Sequence, residues 1–188
     1  MTLEFPLAHP CRWTNADAVA VPASAKPWLL EEGSLTQKLK KHSNQFSVKL
    51  IGQQPATVFD SEFELFQQHH VDTPFAATVR EVMLYCDHQP WVFARSIFPL
   101  SALTDENLNL SAMGSRSLGQ SLFDQADLLR SPFQLTQLEK HHPIAKLNTA
   151  LHHKQTELWG RRSLFFTSGQ RVLVSEFFLS PLPFYAEC

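Results

Sequence analysis

Charge is scarce in this chain. Asp, Glu, Lys and Arg make up 18% of its 188 residues, 16 basic against 18 acidic, where soluble domains average roughly a quarter. A net charge of −2 leaves no electrostatic footprint for nucleic acid or an anionic membrane surface, and KLKK at 38–41 is the densest basic run. Cysteine is equally sparse. Cys11, Cys86 and Cys188 are odd in number and far apart, which excludes a disulfide framework, and no CxxC spacing suggests zinc or redox work. No apolar stretch approaches the ~18 residues of a membrane-spanning helix. The amino terminus, MTLEFPLAHPCRW, lacks the basic start and apolar run of a signal peptide, so the cytoplasm is the expected compartment. GxGxxG, P-loop and GxSxG motifs are missing as well, which removes the commonest nucleotide-binding and hydrolase readings.

What is present is apolar bulk. Fifteen Phe and four Trp suffice for one full core, and single cores serve chains of up to ~250 residues, so residues 1–188 read as one domain. Residues 1–25, with Pro6, Pro10 and Pro22, read as irregular. PWLLEEGSLTQKLKKH reads as two short helices around Gly33, with Ser34 or Thr36 as N-cap of the second. QFSVKLIGQ alternates as a strand, and residues 53–78 are loop-like. SALTDENLNLSAMG is a helical or looped connection, SLGQSLF opens a short helix, and Asp124 to Glu157 has an irregular helical pattern broken by Pro132 and Pro143. Hairpins joined in sequence, with helices held apart from them, indicate α+β with an antiparallel sheet.

REVMLYCDHQPWVFARSIFP, from Arg80 to Pro99, is the most informative stretch. Its period is two on both sides of the polar break DHQP, so it reads as a β-hairpin. With DHQP as a four-residue loop, Cys86 pairs with Trp91, Leu84 with Phe93, Val82 with Arg95 and Arg80 with Ile97. Arg80 and Arg95 then share one apolar face, within reach of a common ligand. A buried guanidinium needs an anionic answer. That answer is a bound small anion or a structural ion pair with a carboxylate of another strand.

The last hairpin, LWGRRSLFFTSGQRVLVSEFFLSPLPFY, poses the same question with the opposite sign. In VLVSEFFL both faces are apolar, which marks a central strand covered on both sides. Glu176 on that strand pairs with an arginine or serves a site. A three-residue turn sets it opposite Arg162, and a two-residue turn opposite Arg161 or Ser163. His69-His70, His141-His142 and His152-His153 look like metal-ligand doublets, but adjacent side chains diverge and no HExxH or flanking carboxylate accompanies them. No metal or cofactor is expected.

In order along the chain, EEGSLTQKL, REVMLYCDHQPWVFARSIFP, SLGQSLF and the final hairpin resemble the chorismate pyruvate-lyase family. The resemblance runs from about residue 28 to the end. It implies a single α+β domain on a six-stranded antiparallel sheet, with the ligand held beneath helical flaps. It also implies an enzyme that converts chorismate to 4-hydroxybenzoate and pyruvate for ubiquinone biosynthesis. By the same resemblance Arg80 grips the ring carboxylate, the backbone N–H groups of Leu118 and Leu35 support the ligand, and Glu176 addresses the ring hydroxyl. The family more often has Met where this chain has Leu35. Arg95 has a family counterpart, and the shared-face argument assigns it the enolpyruvyl carboxylate. Chorismate and its product are the implied partners, and a monomer is expected. Residues 138–155 read as an insertion relative to familiar members, and residues 1–25 show no match.

Two other classes compete. Effector-binding domains of some transcriptional regulators resemble this fold and bind small anions without chemistry, but they follow a DNA-reading domain of ~60 residues. Only about 25 unassigned residues precede the first matching segment here. A product-binding scavenger would keep Arg80 and lose Glu176, and Glu176 is present.

Overall fold

The computed structural model describes residues 3–105, 108, 110–111, 113–114 and 116–186; Cys188 and parts of SALTDENLNLSAMG lie outside the described residues. Eight strands form one sheet: β1 (Thr14–Asn15), β2 (Phe46–Pro55), β3 (Ala77–Cys86), β4 (Gln89–Pro99), β5 (Leu129–Arg130), β6 (Gln134–Leu138), β7 (Leu158–Thr167) and β8 (Gln170–Phe178). The order is β1-β6-β7-β8-β4-β3-β2, with β5 also pairing β7, and every pairing is antiparallel. The fold class is thus the α+β arrangement read from the sequence, with eight strands in place of six. The two-residue β1 and β5 are too short to leave a period in the sequence.

Short helices surround the sheet: α1 (Lys26–Leu29), α2 (Leu35–Lys41), α3 (Asp60–Gln68), α4 (Leu100–Leu103), α5 (Leu118–Phe123) and α6 (Pro143–His152). Ser34 and Ser117 cap α2 and α5 by accepting from the N–H groups of Gln37 and Gln120. Those two helices lean on each other through a 2.5 Å hydrogen bond between the Thr36 and Ser117 hydroxyls. Gly119 permits the approach, since a Cβ there would stand 3.1 Å from Thr36 Oγ1. Where residues 53–78 read as loop, α3 forms, its Leu65 and Phe66 buried. Where Asp124 to Glu157 read as helical, β5 and β6 precede α6. Residues 138–155 carry α6, whose Ile144, Ala145 and Leu147 join the main core.

Both long hairpins turn through two residues. Asp87 and His88 have φ of 47° and 67°, and Ser168 and Gly169 have 50° and 72°, the left-handed pairs that match strand twist. Asp87 tolerates the conformation with its carboxylate accepting from the N–H groups of Asn44 and Gln45. The expectation of a four-residue DHQP loop fails here. With the shorter turn and a bulge at Leu84/Tyr85, Arg80 stands opposite Ser96, and Arg95 opposite Glu81.

Candidate active site

That register decides the site, because cross-strand neighbours share a face and a shift of one residue exchanges faces. One row across the sheet reads Val82, Ala94, Glu176, Arg161, and the next reads Arg80, Ser96, Val174, Ser163. Arg80 and Glu176 therefore lie on the same face, two strands and one step apart. Strand spacing puts their Cα atoms roughly 10 Å apart sideways. Between them β4 contributes only Ala94 and Ser96, so the middle of the face is low. α2 and α5 roof this depression. The resulting cavity is lined by Leu35 and Thr36 from α2, Leu118, Leu122 and Phe123 from α5, and Arg80, Ala94, Ser96, Val174 and Glu176 from the sheet. Leu35 and Leu118 are the first residues of their helices, where backbone N–H groups have no partner within the helix.

Arg80 is the anomaly of the cavity. It is 1% exposed, and its Nη2 donates to the carbonyls of Gly114 at 3.0 Å and Arg116 at 2.9 Å. Its buried Nε has no hydrogen-bond partner, and no carboxylate within the described residues forms an ion pair with it. Burial pushes its guanidinium down to about 10. A cation held this way carries a desolvation cost that a carboxylate beside it would offset. Glu176 is partnered: Arg161 Nε donates to its Oε2 at 2.6 Å. Arg161 Nη1 donates in turn to the carbonyls of Trp28 and Glu31 at 3.0 Å each, which ties the end of α1 to the sheet. The two-residue turn thus selects Arg161 over Arg162. Because the Glu176 side chain keeps 19% exposure and borders the cavity, pairing and site contact occur together.

Arg95 does not belong to this cavity. It points to the other face, where Nε and Nη2 donate to Glu62 Oε1 at 2.8 Å and Oε2 at 3.0 Å. Nη1 reaches Glu81 Oε1 at 3.2 Å, and Nη2 also reaches the Thr57 carbonyl at 2.7 Å. Glu81 accepts further N–H bonds from Leu7 and Ala8. A structural ion pair is the alternative the hairpin left open, but its carboxylates are Glu62 of α3 and Glu81 of the same hairpin rather than one from a further strand. The enolpyruvyl assignment of Arg95 is corrected accordingly: the bulge at Leu84/Tyr85 offsets the pairing by one residue and places the two arginines back to back.

Sequence reasoning missed Arg130, which lines the same cavity beside Arg161. Its stretch carries no strand-like period, so no signal marked it. The histidine doublets fall mainly at helix ends. His69 follows α3, His142 caps α6 by accepting from the Ile144 N–H, and His153 closes α6 with φ of 52°. Among the described residues no three His, Cys, Asp or Glu side chains gather in metal-holding geometry.

Comparison with known proteins gives the following. The chorismate lyase family model matches residues 7–187, which extends into the amino-terminal segment where the motifs showed no resemblance. A probable chorismate pyruvate-lyase of Idiomarina loihiensis is 40% identical over 185 residues, covering 98% of this chain and 93% of the relative. A probable chorismate pyruvate-lyase of Shewanella sp. strain W3-18-1 is 37% identical, covering 95% of this chain and 93% of the relative. Among solved structures, the effector domain of PhnF from Mycobacterium smegmatis superposes with a TM-score of 0.56 at 12% identity. It covers 79% of this chain and 90% of that one. At that identity the likeness is one of fold.

Proposed function

Because the chain belongs to the chorismate lyase family, we propose that it converts chorismate to 4-hydroxybenzoate and pyruvate, supplying ubiquinone biosynthesis from the cytoplasm as a monomer. The observation that carries the reading is Arg80, a fully buried guanidinium without a counter-ion among the described residues, facing Glu176 across the small residues Ala94 and Ser96. In this reading Arg80 takes the ring carboxylate, assisted by the backbone N–H groups of Leu35 and Leu118. Glu176 addresses the hydroxyl at the far end of the ring, which a flat ring lying over Ala94 and Ser96 would present to it.

The chemistry asks little of the protein. The carbon–oxygen bond to the enolpyruvyl group breaks with its electron pair leaving on oxygen. The neighbouring ring carbon loses its hydrogen as a proton, and that bonding pair completes the aromatic ring. The departing enol gains a proton on its methylene carbon and becomes pyruvate. The reaction is redox-neutral and driven by aromatisation, so no cofactor is required. The site has to fix the orientation of a dianion and stabilise charge on the departing oxygen. Arginine suits that task because its planar fork fixes a planar carboxylate. Glu176 is the base nominated for the ring proton.

Incubating pure protein with chorismate tests this, with 4-hydroxybenzoate followed by absorbance and pyruvate by a coupled assay. The resemblance to an effector domain supplies the rival, a small-anion binder without chemistry. Binding of 4-hydroxybenzoate with no release of pyruvate from chorismate would favour the rival.

A further inference from the structure

With Arg95 committed to the opposite face, the second carboxylate of a dianionic substrate needs another partner. We propose that Arg130 receives the enolpyruvyl carboxylate, at a doorway between the inner cavity and an outer cleft. The inference rests on the proposed activity and goes beyond it by naming how the second half of the substrate is held.

Counting charge leads to Arg130. Three arginines and one glutamate border the cavity, namely Arg80, Arg130, Arg161 and Glu176. Arg161 is satisfied by Glu176 and by two carbonyls. Arg80 and Arg130 are left, neither in an ion pair among the described residues. Two guanidinium groups with no ion pair among the described residues thus face one cavity, the complement a dicarboxylate requires.

Position agrees with charge. Arg130 and Phe165 are paired across β5 and β7, well away from Arg80. The Arg130 head lies over the Phe133 ring at 4.1 Å from its centroid, and Arg161 lies over the same ring at 4.8 Å. This places Arg130 at the Glu176–Arg161 end of the cavity. In chorismate the enolpyruvyl ether sits on the carbon adjacent to the hydroxyl-bearing one, so a hydroxyl at Glu176 carries the enolpyruvyl group toward Arg130. Burial, together with repulsion from Arg161, holds the Arg130 guanidinium below its usual range despite the opposing pull of Glu176, Glu32 and Glu31, and a bound carboxylate beside it would add to that pull.

Arg130 also opens outward. Phe123, Arg130 and Phe165 line both the inner cavity and a cleft that continues past Leu128 and Phe133 to Glu32. An enolpyruvyl group held there leaves directly into the cleft as pyruvate, while the aromatic product stays over Ala94 and Ser96.

The test compares wild type, Arg130→Ala and Arg130→Lys for kcat and KM with chorismate, and for 4-hydroxybenzoate affinity by calorimetry, each with a thermal melt. A charge-assisted contact removed from this partly buried position lowers kcat/KM for chorismate by roughly ten- to a hundredfold. Affinity for 4-hydroxybenzoate, which lacks the second carboxylate, should change less than about threefold on the same principle, and Arg130→Lys should recover part of the loss. Loss of kcat/KM and of product affinity in equal measure overturns the assignment, as does kcat/KM unchanged in Arg130→Ala. Should Arg130→Ala not fold, Arg130→Gln carries the comparison, and failure of every variant to fold places Arg130 in the framework and likewise overturns it. A wild-type protein that releases no pyruvate defeats the proposed activity itself, an outcome visible before any variant is read.

Discussion

Replacing Arg95 by Met separates framework from site. Arg95, Glu81 and Glu62 are 1%, 0% and 4% exposed, so each depends on the others in place of water. The substitution removes a bidentate contact to Glu62, a contact to Glu81 and one to the Thr57 carbonyl. It leaves two buried carboxylates facing an apolar side chain. Breaking a buried pair from one side costs about 3–5 kcal/mol. For a chain of this size each kcal/mol lowers Tm by roughly 2–4 °C, giving a drop on the order of 6–20 °C. Thermal melts without ligand measure it, and calorimetry with 4-hydroxybenzoate at a temperature where the variant is folded should show near wild-type affinity. Adding Glu62→Gln and Glu81→Gln to Arg95→Met should recover part of the loss, because the uncompensated charges go with the cation. A melt within about 3 °C of wild type, combined with abolished turnover of chorismate, would refute the reasoning and return Arg95 to the site.

Arg80→Met should abolish binding of 4-hydroxybenzoate by calorimetry yet leave the ligand-free Tm unchanged or higher, since a buried cation with no ion pair among the described residues is exchanged for an apolar chain; a lower Tm with binding retained sinks this. Glu176→Gln should lower turnover at least about a hundredfold and cost a few degrees of Tm through the loss of charge facing Arg161, and turnover near wild type would remove Glu176 from the chemistry. Ala94→Leu should fill the low centre of the cavity and block product binding while the fold persists, as judged by calorimetry and circular dichroism. His142 is held below its usual range, chiefly by burial, so its neutral form supports the fold. That contribution is complete above the unfolded value of about 6.5 and fades as pH falls through the lowered folded value. His142→Asn, which keeps a capping oxygen, should therefore make Tm fall less steeply between pH 7.5 and 5 than in wild type, and parallel slopes would contradict the assignment.

Long alternating strands were legible from the sequence because their period survives any uncertainty about neighbours. β2, β3, β4, β7 and β8 all lie where the pattern put them. The Ser34 cap of α2 was equally local, and four of the five candidate site residues (Arg80, Leu35, Leu118 and Glu176) do border one cavity. Arg95 was misplaced because facing depends on the bulge at Leu84/Tyr85, which DHQP does not declare. Two non-glycine residues at positive φ replaced the expected four-residue loop, and an unforeseen bulge shifted the remaining pairs. Arg130 escaped notice for a different reason. Its strand is two residues long and owes its place to pairing with β7, a long-range fact with no local signature. Ala94 and Ser96 were likewise silent, since a small residue matters only once its neighbours are known.

The β3–β4 hairpin behaves as a parity device. Arg80 and Glu81 are adjacent, one serving the cavity and the other the Arg95 network behind it. β4 is fixed from its far side by β8, so one residue gained or lost at Asp87-His88 would have to be absorbed by β3. Turning β3 over would carry Glu81 into the cavity and Arg80 behind the sheet, inverting the sign of the site without altering its composition. Insertions and deletions there are therefore qualitatively unlike those at the ends of α6, where added length changes no facing. Unless a bulge like that at Leu84/Tyr85 absorbs them, odd changes in this turn amount to a charge reversal some seven residues away, whereas substitutions and even steps leave the facing intact.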